Sequence, residues 1–163
     1  MGRFKANVAE FAGRAAEEKE DLQMRLRTLL TYEFECLTRL KTWGKLLALV
    51  EEAMALNLEK RIVLETMADM MLCSGAPAET ILVILQKLLE GMFKIRSKNL
   101  QRLSKWIRCL VQLSLLRDCR VAAALMEQVV ELAKNASQSD PYPEEELQWL
   151  IGMCEIRDRI TVC

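Results

Sequence analysis

The chain has 163 residues, with 23 basic and 23 acidic side chains, no histidine and 52% apolar residues. Zero net charge leaves no field steering it toward nucleic acid or acidic ligands, and the length fits one domain. Without imidazole the usual acid/base group and the usual nitrogen ligand for zinc are missing, so catalysis and zinc binding are poorly supplied.

The apolar fraction exceeds the ~45–50% of an average domain, which implies a generous core or apolar faces meant for something outside the chain, and we favour the latter. No stretch approaches the roughly 18 apolar residues of a membrane span; Thr80–Gln86, "TILVILQ", is flanked by Glu79 and Lys87. The opening residues "MGRFKANVAEFAGRAAEEKE" lack the apolar region of a secretion signal, and Ala6 stands where a myristoylation signal needs Ser or Thr. A soluble intracellular protein is the expectation. Cys36, Cys73, Cys109, Cys119, Cys154 and Cys163 form no C-x-x-C pair, and most lie among Leu and Met at helical spacing, which reads as buried free thiols.

Residues 1–20 form a poorly defined segment, 21–151 a run of helical repeats and 152–163 a divergent tail. Helix one is expected from about Asp21 to Thr42, with Leu22, Leu26, Leu29, Leu30, Phe34, Leu37 and Leu40 along one side. Trp43 and Gly44 mark a tight corner before helix two, about Lys45 to Leu56, whose stripe is Leu46, Leu49, Val50 and Ala53. Helix three, about Leu58 to Cys73, carries Leu64, Met67, Ala68 and Met71 on one face. In "SGAP", Gly75 supplies a left-handed stop and Pro77 stands in the first turn of helix four, with Ile81, Ile84, Leu85, Leu88 and Met92 inward. Helix five starts near Lys98 and shows Leu103, Trp106, Ile107, Leu110 and Leu113; Asp118 is an N-cap for helix six, whose face is Ala122, Leu125, Met126, Val129, Leu132 and Ala133. Helix seven opens after Pro143 with Glu144, Glu145 and Glu146 at the positive end of its dipole. Its stripe of Leu147, Leu150 and Ile151 needs a neighbour, and only a dozen residues follow it.

The segments "LLALVEEAMAL", "ILVILQKLLEGM" and "AAALMEQVVELA" each form the second helix of a hairpin, at intervals of roughly 35 to 42 residues, the range of two-helix solenoid repeats. The expected fold is therefore all-α: about seven helices in antiparallel hairpins stacked as a TPR-like α-solenoid, without the strict TPR consensus. A compact helical bundle is the alternative. Neither end carries a polar cap, so the chain reads as a piece of a longer superhelix.

No G-x-S-x-G, Gly-rich phosphate loop or Asp-rich box is present, so no catalytic residue, metal or cofactor is assigned. In "KIRSKNLQRLSKWIR", Lys98, Arg102, Lys105 and Arg108 share about a third of a turn, with Trp106 beside them. That stripe suits an acidic partner or a phosphate backbone, or is simply a solvated helix face. Met67, Met70 and Met71 form either core or an adaptable docking surface.

"LTYEFECLTRLKTW", "SKWIRCLVQLSLL" and "YPEEELQWL" resemble segments of the fungal sporulation-specific, Zip-four-like meiosis proteins, over roughly Leu30 to Leu150. The motif is carried by Tyr142, Pro143, Glu144, Glu145, Glu146, Leu147 and Trp149. The resemblance implies a TPR-type nuclear scaffold on meiotic chromosomes, joining crossover-promoting factors to the chromosome axis and synaptonemal complex. Its partners would be other proteins, with neither membrane nor direct nucleic-acid binding. It also implies a continuing helix with an F-N-x-x-x-D-like element, which "IGMCEIRDRITVC" lacks, as expected of a partial or mispredicted C-terminal fragment. A TPR-like adaptor in an unrelated cytoplasmic pathway and a DNA-contacting helical module are the other readings.

Overall fold

The computed structural model describes the backbone of residues 2–55, 60–95, 98–115, 117, 119–138 and 140–161, and side chains from 18 to 153 within these, 60 and 119 excepted. Among them the protein is all-helical: α1 (Gly2–Arg39), a short 3-10 turn (Trp43–Lys45), α2 (Leu46–Ala55), α3 (Lys60–Cys73), α4 (Ala78–Phe93), α5 (Leu100–Leu115), α6 (Cys119–Asn135) and α7 (Glu144–Thr161). No described helix is long and apolar enough to cross a membrane.

The helices pack as successive hairpins, α1 with α2, α3 with α4 and α5 with α6. The first two hairpins also meet helix on like helix, α1 on α3 and α2 on α4, whereas the third hairpin joins the second chiefly through α4 and α5, and α7 lies on α5. This packing is consistent with a helical repeat. The periodic stripes set it up. Leu46, Leu49, Val50 and Ala53 of α2 are all buried, and Leu64, Met67, Ala68 and Met71 of α3 are inaccessible to solvent. Met67 and Met71 are thus core rather than a docking surface, and half-buried Met70 packs against that core. In α4, Ile84, Leu85, Leu88, Leu89 and Met92 point inward, and each such side chain removed from water contributes about 1.5–3 kcal/mol before ordering costs.

The connections are chemically specified. Gly75 takes the left-handed conformation at φ 66°, and Ser74 Oγ accepts the Ala76 N–H at 3.2 Å. Pro77 sits one residue earlier than expected, at the N-cap of α4, where its carbonyl accepts the Ile81 N–H. At the end of α1, before the corner at Trp43 and Gly44, the left-handed residue is Lys41, φ 56°. The Thr42 N–H reaches the Leu37 carbonyl and the Lys41 N–H that of Thr38, the paired bonds of a Schellman stop.

Several expectations change. α1 begins at Gly2, so residues 2–20 continue the helix, and α7 continues through 152–161. The expected single apolar side of α1 divides. Leu30 and Phe34 are buried and Leu26 and Leu37 half-buried, whereas Leu22, Leu29 and Leu40 are exposed, because together these residues span too wide an arc for one interface. The thiols of Cys36, Cys73 and Cys109 are free, but Cys36 and Cys73 are exposed, Cys36 on the outward side of α1 and Cys73 at the end of α3. Asp118, the expected cap of α6, lies outside the described residues.

Candidate partner-binding surface

The basic stripe of α5 is built from its first turn. Asn99 caps the helix, its Oδ1 accepting the Arg102 N–H at 3.1 Å, and this fixes which way the following side chains leave. Arg102 turns toward α3, donating through Nη1 to Glu65 Oε2 at 2.7 Å and through Nη2 to Asp69 Oδ2. Its guanidinium lies 5.3 Å from the centre of the Trp106 ring. Trp106 is only 3% exposed, and its indole N–H donates to Asp69 Oδ1 at 2.9 Å. That ring belongs to the core and does not flank a surface.

Arg108, two turns on, faces α7. Its guanidinium stands 4.7 Å over Trp149 and 3.5 Å from Glu146 Oε2, a charge contact without a hydrogen bond. The stripe therefore separates: Arg102 ties α5 to α3, Arg108 ties it to α7, Lys105 is exposed, and half-buried Lys98 lies in the α4–α5 connection. Two of its four cations are committed to carboxylates of the same chain.

The residues of the "YPEEELQWL" motif dock α7 onto α5. Tyr142 is buried and its hydroxyl has no hydrogen-bond partner among the described residues. Burial pushes the phenol above its ordinary range, and the Glu146 carboxylate pushes it further the same way. The Pro143 carbonyl accepts the N–H groups of Glu146 and Leu147, and Glu144 Oε1 accepts from Gln148 at 3.1 Å. Glu145 is exposed, Leu147 and Trp149 pack against the core, and Leu150 is buried while Ile151 is not. Nearby, desolvation raises the Cys109 thiol, Arg108 opposes it and Glu146 adds to it, so this thiol is less acidic than a free one.

A surface that sequence reading missed lies between α4 and α6. Two adjoining hollows of about 290 and 560 Å³ share Phe93, Ala124 and Gln128. Their floor is apolar, supplied by Leu89, Phe93, Val121, Leu125 and Leu132, and their rim carries Glu90, Glu127, Glu131, Arg120 and Lys98. Lys98 of the basic stripe lines the larger of these hollows. Among the described residues no three Cys, Asp or Glu side chains are grouped to hold a metal ion. An apolar floor with a mixed-charge rim suits the anchors of an amphipathic segment. No family model, curated protein or solved structure matches the chain.

Proposed function

We propose that the protein is a TPR-like α-solenoid that binds other proteins through the groove between α4 and α6 and performs no chemistry of its own. The groove carries this reading: it is open, apolar at its base and ringed by side chains of both signs. Successive antiparallel hairpins, the first two packed helix on like helix, support the repeat architecture, because a stacked array leaves long grooves between helices of neighbouring repeats. The internal ion pairs of Arg102 and Arg108 count against a DNA-contacting module, which needs its cations free for phosphate.

The resemblance to Zip-four-like proteins directs the proposal to meiosis, with crossover-promoting and chromosome-axis factors as partners in the nucleus. Here the motif residues Tyr142 to Trp149 shape α7, while the groove does the binding. Affinity capture from cells entering meiosis tests this, with Ala124→Arg as the control, since Ala124 is exposed and an arginine there fills the groove without touching the core. Crossover and axis factors should be retained by the unaltered protein and lost with Ala124→Arg. Recovery of cytoplasmic chaperones or signalling proteins alone would remove the meiotic reading, and partners indifferent to Ala124→Arg would remove the groove.

A further inference from the structure

α1 has 38 residues, about 57 Å at 1.5 Å per residue, yet its first buried side chain among those described is Leu30. The face toward the protein carries Leu30, Phe34 and Thr38. On the outward face stand Leu22, Arg25, Leu29, Tyr32, Cys36 and Arg39, separated alternately by three and four residues, the spacing of a coiled-coil seam. All are exposed, and Leu22, Leu29 and Tyr32 keep 67%, 64% and 62% of their surface in solvent.

The charges beside this seam say what covers it. Asp21 pairs with Arg25 at 2.8 Å and Glu35 with Arg39 at 2.6 Å, each an acid followed four residues later by a base. Reflected about the midpoint of Leu30 and Thr31, Leu29 falls on Tyr32, Asp21 comes within one residue of Arg39 and Arg25 within one residue of Glu35, opposite signs each time. Lys19 comes as near to a like charge, Lys41, which lies past the end of α1. A parallel pair in register would stack Arg25 on Arg25 and Arg39 on Arg39; an antiparallel pair alternates the signs.

We infer that two copies of this chain associate antiparallel through the outward face of α1, about a two-fold axis near Leu30. Leu29 of each copy packs against the partner's Tyr32, and each Asp21–Arg25 pair lies beside the partner's Glu35–Arg39 pair. The overlap, from Asp21 to Arg39, is about 27 Å long, so the association is a reversible, concentration-dependent one. It rests on no part of the groove reading.

Sedimentation equilibrium of the full chain over a concentration series is the test. The mass should rise from 18.7 kDa toward twice that value. Leu29→Lys combined with Tyr32→Lys should hold it at the monomer. Asp21→Arg with Arg25→Glu keeps the pair within the helix but sets like charges across the seam, and should weaken association at least ~10-fold. Adding Glu35→Arg and Arg39→Glu restores opposite signs and should restore the dimer. These positions are exposed, so an unchanged circular dichroism melt certifies each variant's fold. A constant monomer mass for the unaltered chain would overturn the inference. So would a two-residue swap that associates as well as the original, or a four-residue swap that folds but fails to recover.

Discussion

The indole N–H of Trp106 and the guanidinium of Arg102 converge on one carboxylate, Asp69, so a single side chain of α3 holds two of α5. The two bonds differ in weight. Arg102 and Asp69 are nearly half exposed, where solvent weakens an ion pair, and Arg102 keeps Glu65 as a second acceptor. The indole N–H is buried with the rest of Trp106, and losing its acceptor costs roughly 1–3 kcal/mol. Asp69→Ala should therefore lower the stability in urea unfolding by about that amount. Asp69→Asn, which keeps an acceptor oxygen, should lose less than half as much. Equal losses for the two would show that the charge, rather than the indole bond, is what matters.

Tyr142 sets the opposite case, a buried hydroxyl with no partner among the described residues. Removing an unpaired buried hydroxyl without changing shape relieves a desolvation cost, so Tyr142→Phe should raise stability by about 1 kcal/mol at neutral pH. The phenol adds a pH dependence. Burial and Glu146 raise its pKa in the folded state above the ordinary 10.0, so the unfolded chain gives up this proton first. Its contribution is intact below pH 10 and falls as pH rises through that value toward the higher folded pKa. Thermal melts from pH 8 to 11 should show a decline that Tyr142→Phe makes shallower; parallel declines in the two proteins would remove the assignment.

Lys41 occupies a conformation that costs an L-residue roughly 1–2 kcal/mol and glycine almost nothing. Lys41→Gly should gain about 0.5–1 kcal/mol, the relief of strain being partly offset by the larger freedom of glycine in the unfolded chain. A loss in chemical denaturation would mean that the lysine side chain makes a contact worth more than the strain.

Much of this fold is written in local periodicity, and what sequence reading missed is not local. The stripes Leu46–Ala53 and Leu64–Met71 recur at helical spacing and are buried as that spacing requires. Gly75 likewise announces its own turn. The fate of Arg102 was illegible because Glu65 and Asp69 lie 37 and 33 residues away, although their spacing of four on α3 placed two carboxylates on one face. The α4–α6 groove belongs to helices that are not neighbours in the chain. For α1 the periodicity was real but too broad: the helix has apolar residues for more than one interface, and burial alone tells which of them faces this protein.

Gly91 shows how closely α4 approaches its neighbours. It is buried in the last turns of the helix, where glycine costs about 1 kcal/mol relative to alanine, so a helix-propensity argument favours Gly91→Ala. Packing opposes it. A Cβ there would lie 2.9 Å from Leu64 Cδ1 and 3.3 Å from Met54 Cε. The methionine can give way, being unbranched and half-buried. Leu64 cannot, because it is inaccessible to solvent and enclosed by the core of α3. Overpacking at such a site costs about 1–3 kcal/mol, more than the propensity gain, so Gly91→Ala should destabilise by about 1 kcal/mol net. Leu64→Ala alone opens a cavity and should cost ~2–5 kcal/mol. If the methyl at 91 occupies that cavity, the double variant should be more stable than the sum of the single changes predicts, by 0.5 kcal/mol or more on the order of a coupled pair. Strict additivity in this cycle would show that Gly91 and Leu64 do not share the space the structure gives them.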